Sequence, residues 1–390
     1  MRKITIISNG TLPVPAVKGG AVENLLETFI NLNEIYNDFE LTIISISNNE
    51  AVSKIKYYKR SKFIFIDSKK NIYKIKRGIR YLLNRSKIFK VKNQYINCVL
   101  SFKEEFVNAD IILIENNPNY IPLVRKITSK SIGLHLHNDY LNITNNKFSS
   151  NILADTNFVI AVSNYIKFRV SEVAPINCKI NLLFNGINLD RFNKDNEKQS
   201  KRDIVILFTG RLQKSKGVKL LIEVFIEILE LGVNNVKLLI VGASGFGESK
   251  KSKFIQDIEL LSKKAFGKIN FTGYIDYSEI HEVYKLADIA VFPSLAPEAF
   301  PLTTIEALAS GLPIIVSDAG GMPEGVDEKC GVIVKRGSNM KQDLKTELLR
   351  LINDKGLRIQ MSIEAKTRAK KFNDIEYYKS FVSILNNVTI

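Results

Sequence analysis

The chain has 390 residues, 45% of them hydrophobic and 25% charged, with a mean hydropathy of -0.02. These values belong to a globular protein, exclude a mostly disordered or collagen-like chain, and allow two domains of ordinary size. With 56 basic and 40 acidic residues the formal net charge is +16, an excess that first suggests nucleic acid or a membrane surface as partner.

The first apolar run, Ile4–Ser8, predicts a strand, and it stops too soon for a signal-peptide core. No apolar run approaches the roughly 18–20 residues that span a bilayer. A loop then leads to Lys18-Gly19-Gly20-Ala21 and a helix over Val22–Asn33. Without side chains, Gly19 and Gly20 let a phosphate approach their backbone amides. Strands follow over Leu41–Ile46, Phe63–Ile66, Asp110–Glu115, Ser131–Leu136 and Phe158–Val162, with helical patterns between most of them. That alternation favours a parallel sheet with crossover helices.

The charge is concentrated. Between Lys54 and Lys92 stand fifteen Lys or Arg and one acid, Asp67, so this segment holds +14 of the total. A uniformly basic nucleic-acid binder has no such profile. Within it, Asn71–Lys92 reads as an amphipathic helix, with Ile72, Ile75, Ile79 and Leu82 on one stripe and Lys74, Lys76, Arg77 and Arg80 off it. Two readings stay open: a core-packed helix with a solvated basic face, or a surface that meets anionic lipid or a pyrophosphate-bearing acceptor.

In Leu134-His135-Leu136-His137-Asn138-Asp139, the alternation of a strand puts both histidines on one side. A His-x-His pair can ligate metal, but no third ligand or carboxylate cluster accompanies it, so no metal site is expected. His137, nearer the loop, is the candidate site residue, His135 a core histidine, and His281 a structural residue of a surface helix. Cys98, Cys178 and Cys330 are too scattered for a disulfide framework or a zinc site and fit a reduced cytoplasmic compartment.

Around Asn185–Lys201 the pattern lapses into a polar stretch that reads as a linker, dividing domain 1–195 from domain 196–372. Strands resume over Ile204–Phe208, Lys237–Val241, Ile269–Thr272, Ile289–Phe292 and Pro313–Val316, with helices such as Val218–Leu231 and Ile280–Leu286. The expected fold class is α/β, two Rossmann-like parallel-sheet domains facing across a cleft. Ligands of such sheets bind beyond the carboxyl ends of the strands. A final helical pattern covers residues 373–390.

Two motifs of the second domain carry chemistry. In Gly210-Arg-Leu-Gln-Lys-Ser-Lys-Gly217, the cations Arg211 and Lys216 stand between a strand and a helix N-terminus, a setting that suits a diphosphate. Two solvated loop cations are the plain alternative. In Pro297–Gly311, Glu298 and Glu306 are eight residues apart, and Pro301 suits the first position of a helix. The amides of Leu302, Thr303 and Thr304 then face an anion, with a carboxylate on each side to accept sugar hydroxyl hydrogen bonds.

Those motifs, together with Asp318-Ala-Gly-Gly-Met-Pro-Glu324 and Lys18-Gly-Gly-Ala-Val-Glu-Asn-Leu25, resemble glycosyltransferase family 4 over nearly the whole chain. The resemblance implies the GT-B fold and a retaining, nucleotide-sugar-dependent enzyme. It assigns the donor diphosphate to Arg211 and Lys216, with Gly19 and Gly20 approaching from the opposite domain. Glu306 would take the ribose, Glu298 the transferred sugar, and His137 the reacting face. Tyr274 and Ile275 would border the nucleobase, and the last helix would cross back onto the first domain. Pro301 departs from the family's frequent glycine and removes one amide contact. No Asp-x-Asp triplet is present, so metal-independent transfer is expected, with a UDP-sugar as co-substrate and no other cofactor. The expected acceptor is a glycan or lipid-linked molecule, in polysaccharide assembly at the inner face of a cell membrane. Two other functions stay open: a nucleotide-sugar epimerase of the same fold, and a non-catalytic surface or coat protein that retains it.

Overall fold

The computed structural model describes residues 1–67, 94–176, 178–192, 203–243 and 252–389. They form two compact units, one of Met1–Val162, Ile166–Leu183 and Tyr378–Ile390, the other of Ser163–Tyr165 and Phe184–Tyr377.

The first unit is built on seven parallel strands: β1 (Arg2–Ile7), β2 (Phe39–Ile46), β3 (Lys62–Ile66), β4 (Ile111–Glu115), β5 (Ser131–Leu136), β6 (Phe158–Ala161) and β7 (Lys179–Leu182). Their order is β3-β2-β1-β4-β5-β6-β7. The central strands are covered on both faces, which is why they read as continuous apolar runs; every residue of β4 is buried. Between β1 and β4 the strand order reverses, the kind of switch point beyond which ligands of such sheets bind. Edge strand β7 was not expected, because its four residues are only half-buried or exposed and lack an apolar run.

The helix Ala21–Tyr36 buries Leu25, Leu26, Phe29 and Ile30 and ends at Asn37, which is left-handed at φ 60°. Against it lies the carboxyl-terminal helix Asp374–Asn386, with the Phe381 ring centred 4.4 Å from Phe29 and Tyr378 at 5.5 Å. The Arg2 guanidinium ties β1 to the end of that segment by donating to the carbonyls of Leu385 and Val388, at 2.8 and 2.9 Å.

The second unit repeats the plan with six parallel strands: β8 (Ile204–Thr209), β9 (Val236–Val241), β10 (Ile269–Gly273), β11 (Ile289–Phe292), β12 (Ile314–Ser317) and β13 (Gly331–Val334). Their order, β10-β9-β8-β11-β12-β13, reverses between β8 and β11. Short β13 was also missed by the apolar pattern.

The linker expectation needs correction. Asn185, Ile187 and Phe192 are buried, Asn185 donates to the Phe300 carbonyl at 2.7 Å, and Ile187 bridges to Asn373. The chain therefore enters the second unit at Phe184 rather than at 196. Polarity misled here because the asparagines satisfy backbone groups, as Asn188 does by accepting from the Arg191 amide. The rest of that stretch, 193–202, lies outside the described residues, as does the basic helix pattern with Lys74, Lys76, Arg77 and Arg80. Among the described residues no helix is long and apolar enough to cross a membrane.

Candidate functional site

In the second unit the loops after β8 and β11 are fastened together. The Ser215 carbonyl accepts from the amides of Leu295 and Ala296, at 2.7 and 3.3 Å. Gly217, at φ +71°, packs so closely that an added Cβ would lie 1.8 Å from the Pro293 carbonyl oxygen. This close seam delivers Lys216 to Glu298: its ammonium donates to both carboxylate oxygens, at 2.7 and 2.8 Å, while the Ser294 hydroxyl donates to Oε1 at 2.9 Å. The backbone of Glu298 is itself clamped, donating to the Ala319 carbonyl and accepting from the Gly321 amide. Arg211 is exposed beside this pair in sequence.

The helix Leu302–Ala309 follows. Pro301 is its N-cap rather than its first residue, because a ψ of 133° keeps it extended. No side chain caps this end. The first-turn amides of Leu302 and Thr303 have no acceptor within the helix, and Pro301 contributes no N–H. Glu306, one turn further in, is buried; its Oε2 accepts from the Tyr284 hydroxyl at 2.8 Å, which also pairs with Thr209 Oγ1 at 2.7 Å. Burial pushes the Glu306 carboxyl up to about 7, against which the Tyr284 hydrogen bond and the charge of Arg191 act. Tyr274 is exposed and Ile275 half-buried on the loop leaving β10. Thus Arg211, Lys216, Glu298, Leu302, Thr303, Glu306, Tyr274 and Ile275 all stand beyond or close to strand carboxyl ends of one unit.

The first unit holds the remaining candidates. Gly20 is the N-cap of the helix Ala21–Tyr36, preceded by left-handed Gly19 at φ +68°. A Cβ on Gly20 would lie 2.0 Å from Glu23 Oε2, so the Glu23 carboxyl, held by Asn9 at 2.9 Å, fills the space over that glycine. Burial raises Glu23 to about 7. Any phosphate approaching Gly20 would meet this carboxyl.

His137 has company that sequence inspection missed. Glu115, the last residue of β4, is the register partner of His135 on β5. His135 Nδ1 lies 3.2 Å from both oxygens of Glu115, and His137 Nε2 lies 3.3 Å from Oε2 and 3.3 Å from His135 Nδ1. The expectation that no carboxylate accompanies the histidines is therefore wrong: the carboxylate comes from the neighbouring strand, through a pairing that no local spacing reveals. All three side chains are buried and could hold a metal ion among them. Burial would raise Glu115, but the two imidazoles hold it down to about 2, whereas burial, with His135 alongside, lowers His137 to about 4.

Comparison with known proteins gives this geometry a setting. The chain is 25% identical to spore coat protein SA of Bacillus subtilis (strain 168), over 97% of this chain and 95% of that protein. It is also 25% identical to the putative glycosyltransferase YtcC of the same organism, over 93% of this chain and 86% of that one. The crystal structure of HepE from Anabaena in complex with UDP-glucose superimposes with a TM-score of 0.76 at 17% identity, over 99% of this chain and all of that one. The fold is that of GT-B glycosyltransferases, two Rossmann-like parallel-sheet domains, and residues 190–368 match the family described as glycosyl transferases group 1.

Proposed function

We propose that the protein is a retaining glycosyltransferase that moves a hexose-type sugar from a nucleotide-diphosphate donor, a UDP-sugar, to an acceptor hydroxyl. The observation that carries this reading is the Lys216–Glu298 pair beside the uncapped start of Leu302–Ala309, with Glu306 buried one turn inside. Cation, free amides and two carboxylates are the groups that a diphosphate and sugar hydroxyls require. The match of residues 190–368 to group 1 glycosyl transferases supports it, as does the likeness to HepE, crystallised with UDP-glucose.

In this reading Arg211, Lys216 and the amides of Leu302 and Thr303 stabilise the charge that develops on the departing diphosphate. Glu306 holds the ribose and Glu298 the transferred sugar. Tyr274 and Ile275 border the base, and His137 serves the reacting face. The bond from the anomeric carbon to phosphate breaks as the acceptor oxygen bonds to that carbon from the same side. The acceptor proton passes to the leaving phosphate, so configuration is retained without a metal. Turnover that is lost in EDTA and restored by Mn²⁺ overturns the last point.

The acceptor is a glycan or lipid-linked molecule of cell-envelope polysaccharide or glycolipid assembly. The basic segment Lys54–Lys92 brings the enzyme to an anionic cytoplasmic membrane face. Replacing Lys74, Lys76, Arg77 and Arg80 with Gln is expected to weaken binding to anionic liposomes while donor binding survives; unchanged liposome binding assigns the segment to packing. The main test is calorimetric titration with UDP-, GDP- and dTDP-sugars, and binding of none of them sinks the transferase reading. The similarity to a spore coat protein favours one second reading. Donor binding without turnover, unchanged in Glu298→Ala, selects a non-catalytic coat component.

A further inference from the structure

Glu115 belongs to none of the motifs assigned to the donor. It ends β4 beside His135 of β5, its partner in register, and His137 stands just past the end of that strand. The side chains of Glu115, His135 and His137 are 2%, 2% and 6% exposed. Asn116, left-handed at φ 51°, turns the chain directly after Glu115. Its amide donates to the His135 carbonyl at 2.8 Å, and its Oδ1 accepts from the His137 amide at 3.0 Å. The two strand ends are thus tied through Asn116, and two imidazoles and a carboxylate meet in one enclosed spot.

The contacts inside the cluster close a triangle. His135 Nδ1 lies 3.2 Å from Glu115 Oε2, His137 Nε2 lies 3.3 Å from the same oxygen, and the two nitrogens are 3.3 Å apart. Protons cannot satisfy all three sides. A proton on His135 Nδ1 serves Glu115 Oε1, at 3.2 Å, and His137 Nε2, and Oε2 then faces a bare nitrogen. A proton on His137 Nε2 donated to His135 Nδ1 moves the His135 proton to its Nε2. Protons on both nitrogens set two N–H groups head to head. Among the described residues neither Glu115 Oε2 nor His135 Nε2 has a hydrogen-bond partner. A buried carboxylate oxygen left bare in this way is costly.

Atoms about 2.0 Å from a common centre in a tetrahedral array stand about 3.3 Å apart, which is the spacing of imidazole and carboxylate ligands on zinc. One face of an octahedron at about 2.1 Å would close to roughly 3.0 Å. We propose that Glu115, His135 and His137 form a zinc site, binding through Oε2, Nδ1 and Nε2 with water at the fourth vertex, which clasps the carboxyl ends of β4 and β5. One cation accepts a lone pair from each of the three atoms, Oε2 included. It leaves the His135 Nε2–H without an acceptor beside Phe381, whose ring centre is 5.3 Å away. That loss is one neutral hydrogen bond, set against the charge of a bare carboxylate. All of these residues belong to the first unit, and the ion holds no part of the donor, so the site stands apart from the transferase reading.

Zinc titration of the full chain, stripped of metal by a chelator and competed with a chromogenic zinc indicator near neutral pH, tests this without nucleotide or turnover. One equivalent is expected to bind with a Kd below about 1 μM, and Glu115→Gln and His137→Gln each to weaken it at least about 100-fold. The control His281→Gln, in the second unit, is expected to bind zinc as the unaltered protein does. Cobalt in place of zinc is expected to give the intense visible bands of four-coordinate Co²⁺. Circular dichroism reads the folding of each variant; where a ligand variant does not fold, the cobalt spectrum of the unaltered protein and its loss on adding zinc decide. No bound equivalent, or a zinc affinity unmoved in folded Glu115→Gln, overturns the site. The faint bands of six-coordinate cobalt overturn zinc in favour of an octahedral ion. If one equivalent binds as stated while no nucleotide-sugar does, the transferase reading falls and the metal site stands.

Discussion

The Lys216 ammonium is held within 2.7 and 2.8 Å of the two carboxylate oxygens of Glu298, residues that come from different loops of one sheet edge. With side chains 19% and 15% exposed, the pair is largely enclosed. A diphosphate that recruits Lys216 must share or replace Glu298, which frees that carboxylate for sugar hydroxyls. Replacing Lys216 with Met is expected to weaken UDP binding roughly 10- to 100-fold, the range of a lost hydrogen bond to a charged group. Glu298→Gln keeps UDP binding and lowers kcat by about 10²-fold or more. Calorimetry and steady-state rates separate the two effects.

Glu306 and Glu23 make stability depend on pH in a stated direction. Both carboxyls are raised to about 7 by burial from a usual value of 4.5. Between pH 4.5 and 7 the unfolded chain gives up these protons while the folded chain keeps them, so stability falls as pH rises through that window. The loss is of the order of 3 kcal/mol for each group, complete above the folded value. Urea denaturation at pH 5 and pH 8 is expected to show this loss, and Glu306→Gln to remove its own share. Equal stability of the unaltered protein at both pH values contradicts the prediction.

Gly217 tests the seam between the loops. Its φ of +71° and the 1.8 Å approach to the Pro293 carbonyl leave no room for a methyl group, whereas Gly232, at φ +85°, has nothing within 4 Å. Gly232→Ala is expected to lose about 1 kcal/mol through backbone strain alone. Gly217→Ala is expected to lose several times as much, about 3 kcal/mol or more, and to weaken UDP binding by displacing Lys216. Thermal denaturation of the two variants side by side gives the comparison.

Phe381 is fully buried, its ring tilted by 39° against that of Phe29. Truncation to Ala is expected to destabilise the first unit by about 3–5 kcal/mol, the range for a buried aromatic. Hydrogen exchange read unit by unit is expected to show faster opening across β1 and helix Ala21–Tyr36, with Leu302–Ala309 unaffected. Uniform acceleration in both units contradicts it.

Legibility in the sequence followed burial and locality. Strands β1, β4, β8 and β11 were readable because sheets covered on both faces demand unbroken apolar runs, while β7 and β13 are short edges with little such demand. Glu298 and Glu306 stand on one loop and helix, so their spacing carried their placement, and Lys216 was singled out within its own loop. Its pairing with Glu298, 82 residues away, comes from two loops of one sheet edge and has no local signature. Glu115 was invisible for the same reason: its contact with His135 is a register between neighbouring strands. One clue was present, since a carboxylate closing an otherwise apolar buried strand must find partners. Pro301 was misplaced by one position because its φ of -73° fits a first helical residue, while its ψ, which no residue type dictates, is extended.

The bond from Arg2 to the carbonyls of Leu385 and Val388 has a consequence in time. A ribosome delivers Arg2 before the second unit and Leu385 only after nearly all of that unit has been made. Until then the Phe29 face of the first helix has no Phe381 to pack against, and β1 lacks the clasp that secures its outer end. The second unit, apart from three residues near Tyr165, is one continuous stretch and can mature during synthesis. The earlier-made half of the protein is thus the later to be finished.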